Sequence, residues 1–215
     1  MAGASGLVGS RILQRLLEEE SVAEVHALFR RPAEFTHPKL TVHVVDFNAL
    51  PPMPQTDEVY LALGTTIRQA GSQAAFRAVD FTATLAVATA AMQAGASRIG
   101  VVSAMQANAH SRIFYNRVKG EMEEALRALN PQTLVVARPS VLTGDRHVLQ
   151  QPARYAERIG ILLGKVLAPL LPANYRPIEA DCVANALTTL LPNEQGMRIV
   201  ESGELQRFAK KRHRT

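Results

Sequence analysis

Apolar residues at Val8, Ile12, Leu13, Leu16 and Leu17 recur with a helical period and run into the acidic stretch Glu18, Glu19, Glu20. This pattern predicts an amphipathic helix opening at residue 7. Short apolar runs bounded by breakers follow at 25–29, 40–45, 59–63, 99–102 and 134–137, and they read as buried strands. Between them, 74–94 and 111–129 keep a helical period. Alternation of strand and helix over the first 140 or so residues predicts an α/β fold, a doubly wound parallel sheet with helices on both faces. Past Pro139 the pattern loosens at Pro152, Pro169, Pro172 and Pro177, before a helical stretch at 181–191 and a last short strand at 197–201. A chain of 215 residues, 47% hydrophobic, suits one domain over 1–215, with 145–180 as a small substrate-side segment.

The opening Gly3-Ala4-Ser5-Gly6-Leu7-Val8-Gly9 is a GxxGxxG loop leading straight into the first helix. Such a loop lets the backbone amides of Gly3, Ser5, Gly6, Leu7, Val8 and Gly9 approach a pyrophosphate at the positive end of that helix, as in Rossmann-type dinucleotide sites. A glycine-rich turn before a helix is also an ordinary tight connection, so context decides. The usual context puts a strand before the loop, and here only Met1 and Ala2 precede it. The first β-strand is therefore read as missing, and the true start is expected several residues upstream.

The second half of the nucleotide site is read from strand ends. The run at 25–29 closes on Arg30 and Arg31, where an NAD-preferring chain offers an acid to the ribose. Arginine there pairs with a 2′-phosphate, which predicts NADP over NAD, although two solvated charges at a strand end read the same way. After the next strand, Asp46 is placed to accept from the adenine amino group and Phe47 to flank the ring, with a turn cap as the alternative for Asp46.

Ser103 ends the fifth strand, and Tyr115 and Lys119 follow as a YxxxK pair on the next helix. Residues four apart lie one above the other. An ammonium beside a phenol stabilises the phenolate and suits the tyrosine to proton transfer. Phe114, Val118, Met122, Ala125 and Leu129 are expected to face the core, leaving Tyr115 and Lys119 on the flank of the helix, open to a cleft.

Glycine loop, strand-end arginine, strand-end serine and YxxxK, in that order, resemble the atypical branch of the short-chain dehydrogenase/reductase superfamily. They are most similar to bacterial relatives of the Tat-interacting oxidoreductase family. Further matches are Ala62-Leu63-Gly64-Thr65-Thr66, Phe76-Arg77-Ala78-Val79-Asp80 and the run from Ala137 through Pro139 and Ser140 to Gly144. The resemblance implies that Leu63, Gly64, Thr65, Pro139 and Ser140 lie against the cofactor. It also implies that Tyr115 donates a proton to a carbonyl, that Lys119 tunes it and binds the nicotinamide ribose, and that Ser103 hydrogen-bonds the substrate oxygen. An NADP-binding regulatory protein with little turnover and a nucleotide-sugar epimerase or dehydratase are the other readings.

Charge and cysteine content narrow the partners. Of the net charge of +5, most sits in the last twelve residues, where Arg207, Lys210, Lys211, Arg212 and Arg214 face a single Glu204. A near-neutral body predicts a small-molecule substrate rather than nucleic acid, and the basic tail reads as a frayed terminus. The apolar stretch at 159–172 is broken by Gly164, Lys165 and Pro169, short of the roughly 18 residues a membrane span needs, so no membrane partner is expected. Six histidines show no metal-ligand spacing, and one cysteine, Cys182, forms no internal disulfide. A cytoplasmic monomer or homodimer is the resulting expectation.

Overall fold

The computed structural model describes residues 1–33, 36–143 and 172–209. The expected tail beyond Ala209 and most of the substrate-side segment therefore lie outside the described residues. The strands are β1 (Val25–Phe29), β2 (Leu40–Val44), β3 (Glu58–Leu61), β4 (Arg98–Val102), β5 (Thr133–Arg138), β6 (Leu142–Thr143), β7 (Ile178–Glu179) and β8 (Gly196–Glu201). The α-helices are α1 (Leu7–Glu18), α2 (Ile67–Ala70), α3 (Gln73–Arg77), α4 (Thr84–Gln93), α5 (Phe114–Ala128), α6 (Ala180–Leu190) and α7 (Ser202–Leu205). A π-helical turn, Ala78–Ala83, joins α3 to α4 as one helix.

Every ladder is parallel: β1 pairs with β2, and β3, β4, β5 and β8 pair in that order. The expected doubly wound parallel sheet is what forms. Parallel strands buried on both faces need apolar side chains throughout, and β5, with Leu134, Val135, Val136 and Ala137 at 2% exposure or less, meets that requirement. One core cluster packs α1 and α6 against the sheet through Ile12, Leu13, Val183 and Leu187. The other packs α4 and α5 on the opposite face through Val87, Ala91, Met122 and Leu126.

The slot between β1 and β3 holds residues 1–3. The Ala2 amide donates to the Tyr60 carbonyl and the Ala62 amide to the Ala2 carbonyl, both at 2.9 Å, while the Leu28 amide donates to the Met1 carbonyl. Among the described residues Ala2 bridges the two parts of the sheet, pairing with Leu28 on one side and Leu61 on the other.

Helix Gln73–Gln93 is long and apolar enough to cross a membrane by composition. Phe76, Asp80, Ala83, Val87, Ala88 and Ala91 nevertheless turn one side of it into the protein interior. At the carboxyl end, residues 204–209 are not frayed: Glu204 pairs with Arg198 at 2.6 Å, and the Phe208 carbonyl accepts from Asn185 at 2.7 Å. The basic charge at Arg207 is exposed as expected.

Candidate functional site

Because all the strands run the same way, the loops that leave their carboxyl ends gather on one edge of the sheet. The glycine turn, Arg30 and Arg31, Asp46 and Phe47, Leu63 to Thr65, Ser103, and Pro139 and Ser140 all leave strand ends at that edge.

The glycine turn is shaped by contact with the next loop. Gly3 has φ +88°, and a Cβ there would stand 2.3 Å from the Ala62 carbonyl oxygen, so no other residue fits without moving the backbone. Gly6 precedes α1, no side chain caps that helix, and its first turn carries no acid. These uncapped amides are the group an anion would meet. Leu7, Val8 and Gly9 are buried, so Leu7 and Val8 face the core and have only their amides to offer a nucleotide. Ser5 is exposed, as are Arg30 and Arg31, and neither arginine makes an ion pair with a described residue.

Asp46 holds its own loop. One carboxylate oxygen accepts from the Asn48 amide and from the Asn48 side chain, each at 2.9 Å, which is the turn-cap alternative. Phe47 is half-buried against the same core cluster that Leu63 packs on. It also opens onto a groove of about 410 Å³ lined by Phe47, Leu50, Phe81, Leu85 and Thr89 along α4. Among the predicted site residues only Phe47 borders this groove; Tyr115 and Lys119 lie elsewhere.

The predicted YxxxK pair lies on α5, and here burial differs from the expected pattern. Lys119 is 4% exposed and lies inside, not on an open flank. Its ammonium stands 2.7 Å from Asp80 Oδ1, and Asp80 is itself 1% exposed. The π-turn adds a residue to the helix at this point, and such turns recur at functional sites. The second Asp80 oxygen accepts from the Thr65 amide at 2.9 Å, which ties the loop after β3 to the π-turn. Burial alone would lower the lysine's pKa, but Asp80, Tyr115 and Glu123 outweigh it, so Lys119 is held protonated above its ordinary range.

Tyr115 is half-buried, its ring 5.4 Å from Phe76, and Phe114 meets the same ring edge-on at 5.9 Å. Tyr115 lies within electrostatic reach of Lys119. The Ser103 hydroxyl donates to Glu123, and Ser103 is 5% exposed. Glu123 in turn takes two hydrogen bonds from Arg138, at 2.6 and 3.1 Å, and Arg138 reaches Glu201 at 3.2 Å. Ser140 is likewise committed: its amide donates to the Ser202 hydroxyl at 3.1 Å and its own hydroxyl to the Arg176 carbonyl. Pro139 is buried, with its carbonyl accepting from the Met105 amide at 3.0 Å.

The sequence reading included Asp80 and Arg138 in matching motifs without giving either a role, and did not single out Glu123. Glu123 continues the Tyr115, Lys119 spacing by one more turn, and that repeat of polar residues at intervals of four was the available signal. Gly120 lets the loop at 108–109 lie on α5, since a Cβ there would sit 2.1 Å from the Ala109 amide nitrogen. Gly120→Ala is expected to lower stability by about 1–3 kcal/mol, because the clash is with backbone and cannot be relieved by a rotamer change. Thermal denaturation would check this, and an unchanged midpoint would contradict the packing described.

Residues 3–155 match the family model described as NAD(P)H-binding. The chain belongs to the NAD(P)H-binding family. This NAD(P)H-binding protein is 32% identical over 98% of its length to Protein FMP52, mitochondrial, from Eremothecium gossypii, covering 96% of that protein. It is 34% identical to Protein fmp52, mitochondrial, from Aspergillus fumigatus, over 86% of this chain and 83% of that one. Among solved structures it resembles a short chain dehydrogenase family protein from Francisella tularensis subsp. tularensis SCHU S4. That match has a TM-score of 0.67 at 16% identity and covers 94% and 96% of the two chains. MoeE5 in complex with UDP-glucose and NAD matches with a TM-score of 0.65 at 16% identity, over 93% of this chain and 74% of that one. The fold is thus that of a Rossmann-type NAD(P)-binding domain. These relatives carry names that describe them as mitochondrial, which overturns the expected cytoplasmic location. That expectation rested in part on the single cysteine, Cys182, and a lone cysteine does not single out the cytoplasm.

Proposed function

We propose that this NAD(P)H-binding protein is an NADP-dependent oxidoreductase of the atypical short-chain type, related to the Tat-interacting oxidoreductases, that interconverts a small carbonyl compound and its alcohol. The observation that carries the reading is the Tyr115 phenol beside a buried, fully charged Lys119, at the sheet edge that also holds the glycine turn. The residues present suit a dinucleotide: uncapped amides at the start of α1, no acid in its first turn, and two arginines without ion pairs to described residues. When bound, NADPH supplies the hydride.

The chain's own residues then do the following. The amides from Gly3 to Gly9 take the pyrophosphate, and Arg30 and Arg31 take the 2′-phosphate. Phe47 and Leu63 flank the adenosine half, while Gly64, Thr65, Pro139 and Ser140 line the nicotinamide half. Tyr115 gives its phenolic proton to the substrate oxygen and Lys119 holds the ribose. The Ser103 hydroxyl donates to Glu123, so in this reading it positions Glu123 a turn beyond Lys119 and does not polarise the carbonyl itself.

Replacing Arg30 and Arg31 together by alanine is expected to weaken NADPH binding about 10–100-fold, the worth of one or two charge-assisted hydrogen bonds. NADH binding should stay within about threefold, since NADH has no 2′-phosphate to lose. Equal losses for both cofactors would contradict the NADP assignment.

The commitment of Ser103 to Glu123 also favours a second reading, a nucleotide-binding regulatory protein with little turnover. Following NADPH oxidation with aldehydes, ketones and quinones separates the two. Turnover of any class supports the enzyme, and tight NADPH binding with none supports the sensor.

A further inference from the structure

Two non-glycine residues among those described have a positive φ, Gln106 at +63° and Asn130 at +53°. Asparagine enters that region readily, and Asn130 does so just past the end of α5. Glutamine has no such ease. Gln106 is the third residue of a turn closed by the Ala107 amide, which donates to the Ala104 carbonyl at 3.2 Å, and glycine is the usual choice there. Strain of this kind persists where a side chain is needed at one place, as at ligand clamps.

The side chain that this backbone presents is exposed, and its amide donates to the Tyr175 hydroxyl at 3.3 Å. Both ends of this bridge are anchored. The Met105 amide donates to the Pro139 carbonyl at 3.0 Å, which ties the Gln106 turn to Pro139. On the other side the Ser140 hydroxyl donates to the Arg176 carbonyl, which ties the chain beside Tyr175 to Ser140. Asn174 and Ala173, next in the same turn, accept from the Gly203 amide at 2.8 Å and the Gln206 side chain at 2.9 Å. The bridge therefore stands over Pro139 and Ser140, the two residues read above as lining the nicotinamide half. Gln106 and Tyr175 carry three polar hydrogens, and their mutual bond uses one. Among the described residues nothing else takes the other two. Two donors side by side match the two lone pairs of one carbonyl oxygen.

We propose that Gln106 and Tyr175 bind a second carbonyl oxygen of the substrate, so that this site prefers dicarbonyl compounds to simple ketones. The proposal rests on the oxidoreductase reading above and adds its substrate class. The first carbonyl meets Tyr115, and the second is held by the pair over Pro139 and Ser140.

The test follows reduction of diacetyl and of methyl ethyl ketone, which differ by the second carbonyl oxygen, in wild type, Gln106→Glu, Gln106→Gly and Tyr175→Phe. Gln106→Glu keeps the size and can accept from the Tyr175 hydroxyl, but brings no proton of its own, so neither donor is left for substrate. KM for diacetyl is expected to rise about tenfold or more in Gln106→Glu, and about 3–10-fold in Tyr175→Phe, which loses one donor. Methyl ethyl ketone kcat/KM, diacetyl kcat and NADPH affinity should all stay within about threefold of wild type. Gln106→Gly should weaken diacetyl as Tyr175→Phe does while melting no lower than wild type, since glycine adopts this φ freely. Equal losses on the two probes, or a Gln106→Glu protein with the wild-type KM for diacetyl, would overturn the proposal. So would a Gln106→Gly protein that melts well below wild type and loses both probes alike, for the glutamine would then be structural. Failure of the underlying reading looks different: wild type would bind NADPH and reduce neither probe, and the proposal would fall with it.

Discussion

Lys119→Met is expected to destabilise the protein by about 3–5 kcal/mol, because it leaves the Asp80 carboxylate buried at 1% exposure with its partner gone. Methionine matches the length of the lysine stem and fills the same space, so packing is nearly constant and the loss reports the stranded charge. Adding Asp80→Asn should restore most of it: an amide can still accept from the Thr65 amide and carries no charge to bury. Chemical denaturation of the two single variants and the double variant gives the coupling directly. If Lys119→Met alone cost less than about 1 kcal/mol, the pair would be behaving as a solvated surface bridge, and the buried arrangement would be wrong.

Tyr115→Phe is expected to lower kcat for carbonyl reduction by about 10²–10⁴-fold, the usual worth of one positioned general acid. The Phe ring keeps the contact with Phe76 and the helix keeps its packing, so stability should stay close to wild type. NADPH binding should change little, since Lys119 and the glycine turn are untouched. A loss confined to KM, with kcat intact, would make residue 115 a binding residue and remove it from the chemistry.

The sheet was legible because a parallel strand buried on both faces writes itself as an unbroken apolar run. Val25–Phe29 is found with the expected bounds, and β3, β4 and β5 differ from expectation by a residue or two. The long helices were legible from their period, but the π-turn at 78–83 was not. One added residue leaves the apolar spacing nearly unchanged while rotating Asp80 into the interior. The same turn explains why the buried charges were missed. Lys119 was expected on an open flank because the apolar stripe of Phe114, Val118, Met122, Ala125 and Leu129 was assigned to the core. It lies inside because Asp80, distant in sequence, reaches it. Glu123 and Arg138 are a long-range pair of the same kind, as is Ser103 with Glu123. No local period encodes which carboxylate meets which cation; only the packing of β5, α5 and the π-turn decides it. The small sheet of β6 and β7 escaped notice because two-residue strands are too short for periodicity to register.

The most direct test of the whole account is a crystal structure of the protein with NADPH bound. The pyrophosphate is expected on the amides between Gly3 and Gly9, the 2′-phosphate at Arg30 and Arg31, and the nicotinamide ring beside the Tyr115 hydroxyl with Lys119 at its ribose. A dinucleotide bound away from the glycine turn, or one whose nicotinamide points away from Tyr115, would contradict it.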